Sequence, residues 1–331
     1  MRAIRFHRYG DPDDVLVAED IPMPVPTGGQ ALVRVHTRPV NPSDVMYIEG
    51  RYGRAAEFPA TAGFEGAGVV VRPPPNGLPA TGTRVSVAAR GTWQSYVAAA
   101  TDEVIVAPDG VDDILAAQLT VNPYAARMLL DHLDLPPGGW VALSAGASAV
   151  AVQFGLLAAA REVRCIHLVR SKFQAERLAG GGADIVIDLS QAPDAGAGGP
   201  DGWAARIKEI TSGGVDAAID SVGGAVGRLL LDSLRTGGTL VAFGILSGEP
   251  IPVPTGELIF RNLHLEGFWL PEHLEKLSDV ERKNLDAAVF EDLLRNPEAL
   301  AVADTFDLAD AADAVRRSRS TDRTGKVLLV G

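Results

Sequence analysis

The sequence predicts an α/β protein of two domains: an irregular, mostly antiparallel β domain and a doubly wound parallel sheet. Three observations carry this expectation. A chain of 331 residues holds about two domains, at roughly 100–200 residues each. In the first hundred residues, "QALVRVHTRPV" and "TRVSVAA" mix β-branched with polar side chains, and Pro and Gly interrupt them often, as in "PMPVPTGG" and "RPPPNGLPATG". After about Val111, apolar strands alternate with helical spacing, which indicates a parallel sheet buried on both faces.

The elements follow in order. In "VNPSDVMYIEGRYG", Ser43 stands where a helix N-cap belongs, so a short helix is expected over 44–49. Gly50 is its stop, and Tyr52 lies in the loop beyond. "DDILAAQLTVNPYAARMLLDHLDL" has helical spacing broken at Asn122-Pro123. Strands are then expected at 140–144, 165–169, 185–188, 215–222 and 238–244, with helices at 149–160, 172–179, 201–211 and 225–236 between them. "SQAPDAGAGGPDG" reads as a surface loop without function. The tail holds a strand in "LHLEGFWL", an amphipathic helix in "VERKNLDAAVFEDLLRN", a further helix in "TFDLADAADAVRRSRS" and a closing strand in "GKVLLVG".

Composition removes several function classes. An apolar fraction of 47% supports sizeable cores. A net charge of −12 disfavours nucleic acid as a partner, since phosphate binding needs clustered Lys and Arg. A small cationic pocket for a phosphorylated cofactor remains open. The single cysteine, Cys165, rules out an internal disulfide and a multi-cysteine metal site, and within "VRCIHLV" it reads as packing. The six His form no H-x-x-x-H pair, so no metal site is expected; His167 lies within a strand and reads as core. The charge-free stretch 135–160 is long enough to cross a bilayer, but its Pro and Gly divide it into a turn, a strand and a buried helix. No secretory signal is visible at the N-terminus, so the expectation is a soluble, cytoplasmic protein with no membrane partner.

Four stretches bear on chemistry. Gly146, Ala147, Ser148, Ala149, Val150 and Ala151 join an apolar strand to an apolar helix, where a dinucleotide phosphate loop belongs. Small residues there let backbone N–H groups approach a pyrophosphate; an ordinary strand–helix turn would look similar, and Ala149 and Ala151 stand where glycine is usual. Arg170, Ser171 and Lys172 follow the second strand. Cations there go against the helix dipole but suit a ribose 2′-phosphate, which points to NADPH. Gly244 ends a strand at the expected carboxyl edge of the sheet, either as a nicotinamide-side contact or as a turn glycine. Tyr52 reads from spacing alone as a packing residue with a wet hydroxyl, a proton donor being the alternative. "GASAV" is a poor match to a hydrolase G-x-S-x-G turn, because Val150 replaces the second glycine.

The whole chain resembles the medium-chain dehydrogenase/reductase superfamily. Within it, the zinc-free 2-enoyl thioester reductases are most similar, and quinone oxidoreductases come next. The residues carrying the resemblance are "VNPSDVMYIEGRYG", "TVNPYAARML", "AGASAVA", "IFRNLHLEGFWL" and "GKVLLV". It implies a GroES-like irregular β-barrel catalytic domain over 1–115 and 265–331, around a Rossmann NADPH-binding domain over 116–264. Zinc alcohol dehydrogenases have Cys where this chain has Asn41 and His where it has Phe64, so the resemblance implies chemistry without a metal. Tyr52 then matches the enoyl reductases' hydrogen-bond donor. Carried over residue by residue, cofactor contacts fall on Asn122, on Gly146, Ala147, Ser148, Ala149 and Val150, on Arg170, Ser171 and Lys172, on Phe243, Gly244, Ile245 and Leu246, on Phe268, Trp269 and Leu270, and on Lys326. Asn41, Phe64, Phe268 and Trp269 would line the substrate pocket. The implied activity is NADPH-dependent reduction of the C=C bond of a 2-enoyl thioester on CoA or an acyl carrier. A quinone or enone reductase and a non-catalytic NADPH-binding protein are the alternatives. The implied assembly is a homodimer.

Overall fold

The computed structural model describes residues 1–181, 183–191 and 200–331, which form two compact units. One comprises residues 1–123 and 293–331, the other residues 124–292. Most of the predicted loop over 190–202 lies outside the described residues.

The first unit is built on β1 (Arg2–Phe6), β2 (Val17–Asp20), β3 (Ala31–Pro39), β4 (Ala60–Thr61), β5 (Gly66–Arg72), β6 (Arg84–Val87), β7 (Tyr96–Ala99) and β8 (Val104–Val106). β1 pairs with β2 and β4 in a small antiparallel sheet. β3 is the hub of the larger sheet, pairing antiparallel with β5 and β7, while β6 and β8 extend it beyond β5. Val33, Val35, Val70, Val85, Val87 and Val97 fill one core of this unit; these β-branched side chains pack well on a pleated surface. Arg38 is fully buried, and its guanidinium donates to the carbonyls of Val35, His36, Thr92, Gln94 and Gly331. Burial pushes its pKa down to about 9.

The helix after β3 spans Pro42–Ile48, starting earlier than the expected 44–49. Its N-cap is Asn41, not Ser43. Proline fits the first helical position, and the Asp44 carboxylate accepts from the Asn41 N–H at 2.7 Å. Gly50 then leaves the helix at φ +76°, a left-handed turn that glycine adopts without strain.

The second unit contains β9 (Trp140–Leu143), β10 (Arg164–Val169), β11 (Ile185–Asp188), β12 (Val215–Asp220), β13 (Leu234–Ala242) and β14 (His264–Gly267). All pairs are parallel, in the order β11-β10-β9-β12-β13-β14. The strand order reverses between β9 and β12, so the carboxyl ends of these two strands flank a crevice of the kind that binds dinucleotides. The helices Ala149–Ala159, Lys172–Gly180, Pro200–Ile210 and Gly224–Ser233 connect the strands. The uncharged stretch 135–160 divides into β9 and the helix Ala149–Ala159, and no helix among the described residues is long and apolar enough to cross a membrane.

The unit boundaries differ from those expected at 115/116 and 264/265. β14 hydrogen-bonds to β13, and the helix Asp279–Arg295 runs across the second boundary at 292/293, so residues 265–292 belong with the parallel sheet. The broken helical pattern resolves into Asp113–Ala116 and Asn122–Leu133, and the first boundary falls in the opening turn of the latter. "GFWL" ends β14 and opens the helix Leu270–Glu275 instead of continuing as a strand. The chain then returns to the first unit as β15 (Val302–Asp307), the helix Ala311–Arg319 and β16 (Lys326–Val330). β16 pairs antiparallel with β3, and Val40 N–H donates to the Val327 carbonyl, which brings Lys326 beside Asn41.

Candidate active site

In the first unit the site is a buried polar network beside an aromatic cluster. Glu65, just before β5, is 1% exposed. Its Oε1 accepts from Asn41 Nδ2 at 2.7 Å; its Oε2 accepts from the Thr120 N–H (3.2 Å), the Thr120 hydroxyl (2.9 Å) and the Val121 N–H (3.1 Å). On its other side, Asn41 Oδ1 accepts from the Lys326 ammonium and from Asn122 Nδ2, the latter at 3.2 Å. One carboxamide thus bridges a buried anion and a buried cation. Burial pushes the Glu65 carboxyl up, against the Lys326 charge and the hydrogen bonds; burial pushes the Lys326 ammonium down to about 8, against Glu65. Asp44 is fully buried nearby, and its carboxyl is pushed up by burial to about 7.

Tyr52 and Phe64 lie together. Their ring centroids are 4.8 Å apart with a 36° tilt, and Tyr47 meets Phe64 at 5.2 Å and Tyr52 at 6.4 Å, edge-on to both. Both rings pack on the core that contains Phe6, Tyr47, Ile48 and Trp93. Aromatic neighbours of this kind restrict where the Tyr52 phenol can point.

In the second unit, the phosphate-loop candidate joins β9 to the helix Ala149–Ala159. Ala145 enters it at φ +46°, a backbone conformation that side-chain-bearing residues seldom adopt and that clusters at functional turns. Ser148 is the N-cap, its hydroxyl accepting from the Ala151 N–H at 3.3 Å. In a helix N-terminus the Ala149 and Val150 N–H groups have no helical acceptor, so they are available to an anion. Ala151 is 5% exposed, so its methyl is buried and does not stand in the path of an anion at the loop surface. The residues present therefore fit a dinucleotide pyrophosphate.

Arg170, Ser171 and Lys172 follow β10 at its carboxyl end. Ser171 caps the next helix by accepting from the Gln174 N–H, and Lys172 pairs with Glu176 at 3.5 Å on the surface. At the end of β13, the Phe243 and Gly244 N–H groups donate to the Asp220 carbonyl, and Ile245 and Leu246 are exposed. A Cβ on Gly244 would lie 2.7 Å from the Ser221 carbonyl oxygen, so this turn needs glycine for close approach. Phe268 is 4% exposed; its ring stacks on His273 at 4.0 Å and meets His132 at 5.8 Å. Trp269 caps the helix that begins at Leu270.

The structure joins Asn41, Asn122 and Lys326 in one network and Tyr52 with Phe64 in one cluster. Sequence reasoning gave no role to Glu65 and Thr120, which complete the network, or to the Ser144–Asp220 pair at the ends of β9 and β12. Asp220 is fully buried; it accepts from the Ser144 hydroxyl at 2.7 Å and from the Val222 and Gly223 N–H groups, which shapes the turn after β12. The legible signal was an acid set in a largely apolar, glycine-containing run, at Glu65 in "AGFEGAGVV" and at Asp220 in "AAIDSVGG".

The zinc-binding dehydrogenase family matches residues 149–286, and the alcohol dehydrogenase GroES-like domain matches residues 27–109. The human mitochondrial enoyl-[acyl-carrier-protein] reductase is 31% identical, over 99% of this chain and 88% of its own length. Among solved structures, a Bacillus thuringiensis chain described provisionally as an NADPH:quinone reductase superposes with a TM-score of 0.88 at 32% identity, covering 100% of this chain and 98% of that one. The Escherichia coli quinone oxidoreductase complexed with NADPH gives 0.88 at 25% identity, covering 100% of both chains. The family name implies zinc, and the residues at this site do not fit it. Phe64 has no lone pair, the Asn41 oxygen already accepts from an ammonium, and both Glu65 oxygens are engaged by N–H and O–H donors. Among the described residues, no group of three or more His, Cys, Asp or Glu is arranged to hold a metal ion. With its GroES-like β unit, its Rossmann unit and relatives matched along almost its full length, the chain belongs to the medium-chain dehydrogenase/reductase superfamily.

Proposed function

We propose that this protein is a zinc-independent, NADPH-dependent reductase of the C=C bond of 2-enoyl thioesters. The observation that supports it most directly is the packing of Tyr52 against Phe64 at 4.8 Å, where a phenol donor stands beside a residue that cannot bind metal. The similarity to enoyl-[acyl-carrier-protein] reductases supports the substrate class. When bound, NADPH supplies a hydride to the β-carbon of the unsaturated thioester. Negative charge then develops on the thioester oxygen. The Tyr52 O–H donates a hydrogen bond to that oxygen, which stabilises the enolate more than the neutral substrate and lowers the barrier. A proton finally reaches the α-carbon, from the phenol or through water, and the saturated thioester results. The Ala149 and Val150 N–H groups would hold the pyrophosphate, and Arg170 and Lys172 would meet the 2′-phosphate. Asn41 Oδ1 accepts from Asn122 Nδ2, which fixes the carboxamide that the resemblance assigns to the nicotinamide.

Reduction of quinones or free enones is the second reading, supported by the similarity to quinone oxidoreductases. NADPH oxidation followed at fixed enzyme concentration with trans-2-enoyl-CoA, enoyl-acyl carrier protein and 1,4-benzoquinone separates the two. Higher kcat/KM on a thioester supports the first reading. Turnover confined to the quinone replaces it with the second, and tight NADPH binding without turnover on any acceptor leaves a non-catalytic binder.

A further inference from the structure

The interior of the parallel sheet holds one imidazole that the reaction above does not use. His167 lies in β10 between Ile166 and Leu168 and is 3% exposed. Its neighbours Cys165, Ile166, Leu168 and Val169 are apolar and buried, as expected in a sheet covered on both faces. An apolar side chain would satisfy the same packing, so a polar ring needs a reason. Its Nδ1 lies 2.8 Å from the Gly146 carbonyl oxygen. A carbonyl only accepts, so Nδ1 carries the proton and donates. The Gly146 N–H in turn donates to the Leu168 carbonyl, also at 2.8 Å. The first residue of the phosphate loop is thus tied to β10 through both of its backbone polar groups.

Two glycines make room for this ring. A Cβ on Gly146 would fall 2.8 Å from His167 Cβ, and a Cβ on Gly155 would fall 2.9 Å from His167 Nε2. The imidazole therefore spans from the loop to the second turn of the helix Ala149–Ala159, which the loop opens. Burial lowers the His167 pKa, which favours the neutral ring with its single N–H on the Gly146 side.

We propose that His167 is a positioning residue for the dinucleotide: its Nδ1–H holds the Gly146 carbonyl so that the loop presents the Ala149 and Val150 N–H groups to the pyrophosphate. The inference rests on the NADPH reading of this loop. Without the donor, the Gly146 carbonyl is left unsatisfied in a dry environment and the loop relaxes toward other partners. Cofactor binding must then restore the loop, and the cost falls on NADPH affinity, leaving hydride transfer from bound NADPH in place.

Two substitutions separate the hydrogen bond from the volume. His167→Phe keeps a ring and loses the donor; His167→Asn loses the ring and keeps an N–H donor near the Nδ1 position. NADPH binding is measured by the fluorescence of the reduced nicotinamide, together with kcat and KM for NADPH. The expected result is a Kd and KM for NADPH about tenfold higher in His167→Phe, equal to about 1.4 kcal/mol, with most of the affinity retained in His167→Asn. In both variants kcat at saturating NADPH should remain within about threefold of wild type. Wild-type affinity in His167→Phe overturns the proposal, as does an equal loss in both variants, which would assign the effect to packing. Failure of the wild-type protein to bind NADPH sinks the cofactor reading itself and is read separately. If His167→Phe is insoluble, Gly155→Ala takes its place, because the new methyl must push the Nε2 end of the ring. Unchanged NADPH affinity in that variant overturns the proposal equally.

Discussion

Asn41 Nδ2 donates to Glu65 Oε1 across 2.7 Å, and the same carboxamide accepts from the Lys326 ammonium. An acid and a base from distant parts of the chain are thereby held in one buried network without direct contact. Replacing Glu65 by Gln keeps the volume but removes the charge and halves the acceptor capacity, while Asn41, Thr120 and Val121 still point donors at it. Unmet buried donors cost about 1–3 kcal/mol each, so Glu65→Gln should lower unfolding free energy by roughly 2–4 kcal/mol. A urea titration reads this as a lower midpoint; an unchanged midpoint would mean that the network re-forms around the amide.

Asp44 gives a pH signature of definite sign. Burial raises its carboxyl pKa from 3.8 to about 7, so the folded state binds a proton more readily than the unfolded chain. Its stabilising contribution is fully present below pH 3.8 and is lost as pH rises through about 7. Asp44→Asn keeps an oxygen for the Asn41 N–H and removes the titration. The variant should gain stability relative to wild type as pH rises from about 4 to about 7, by an amount on the order of 4 kcal/mol. Parallel stability profiles for the two proteins over that window would refute the assignment.

Tyr52→Phe retains the ring against Phe64 and deletes only the hydroxyl. Loss of one donor to a developing oxyanion costs about 2.7–4 kcal/mol, so kcat on the enoyl thioester should fall about 100- to 1,000-fold with NADPH affinity unchanged. Full activity in this variant would pass the donor role to another group.

Arg170 and Lys172 set the expected cofactor preference. The double substitution Arg170→Ala/Lys172→Ala should raise KM for NADPH about 100-fold or more and leave KM for NADH nearly unchanged, since hydrogen bonds to a charged phosphate are worth about 1.5–3 kcal/mol each. Equal losses with both cofactors would show that the cations act on the loop's shape and not on a 2′-phosphate.

Local chemistry was enough for much of this protein. Apolar strands alternating with helices specify a parallel sheet, because such strands have no face to give to water, and β9 to β13 were legible within a few residues. Gly50 marked a helix end, because the left-handed turn after it suits a residue without a side chain. Phe64 excluded itself as a metal ligand by its composition alone. What the tertiary structure decided was pairing at long range. The Ser43 cap gave way to Asn41, since Asp44 could reach back to the Asn41 N–H. β14 joined β13 because a parallel edge strand is recognised by its hydrogen-bonding partner and not by its own four residues. Lys326 met Asn41 through the register of β16 on β3, and Glu65 acquired its four donors from the N-cap of the helix Pro42–Ile48 and from the segment before the helix Asn122–Leu133. Residue type announces what a side chain can do; which buried donor faces which acceptor depends on strand register, and a register is a property of two segments together.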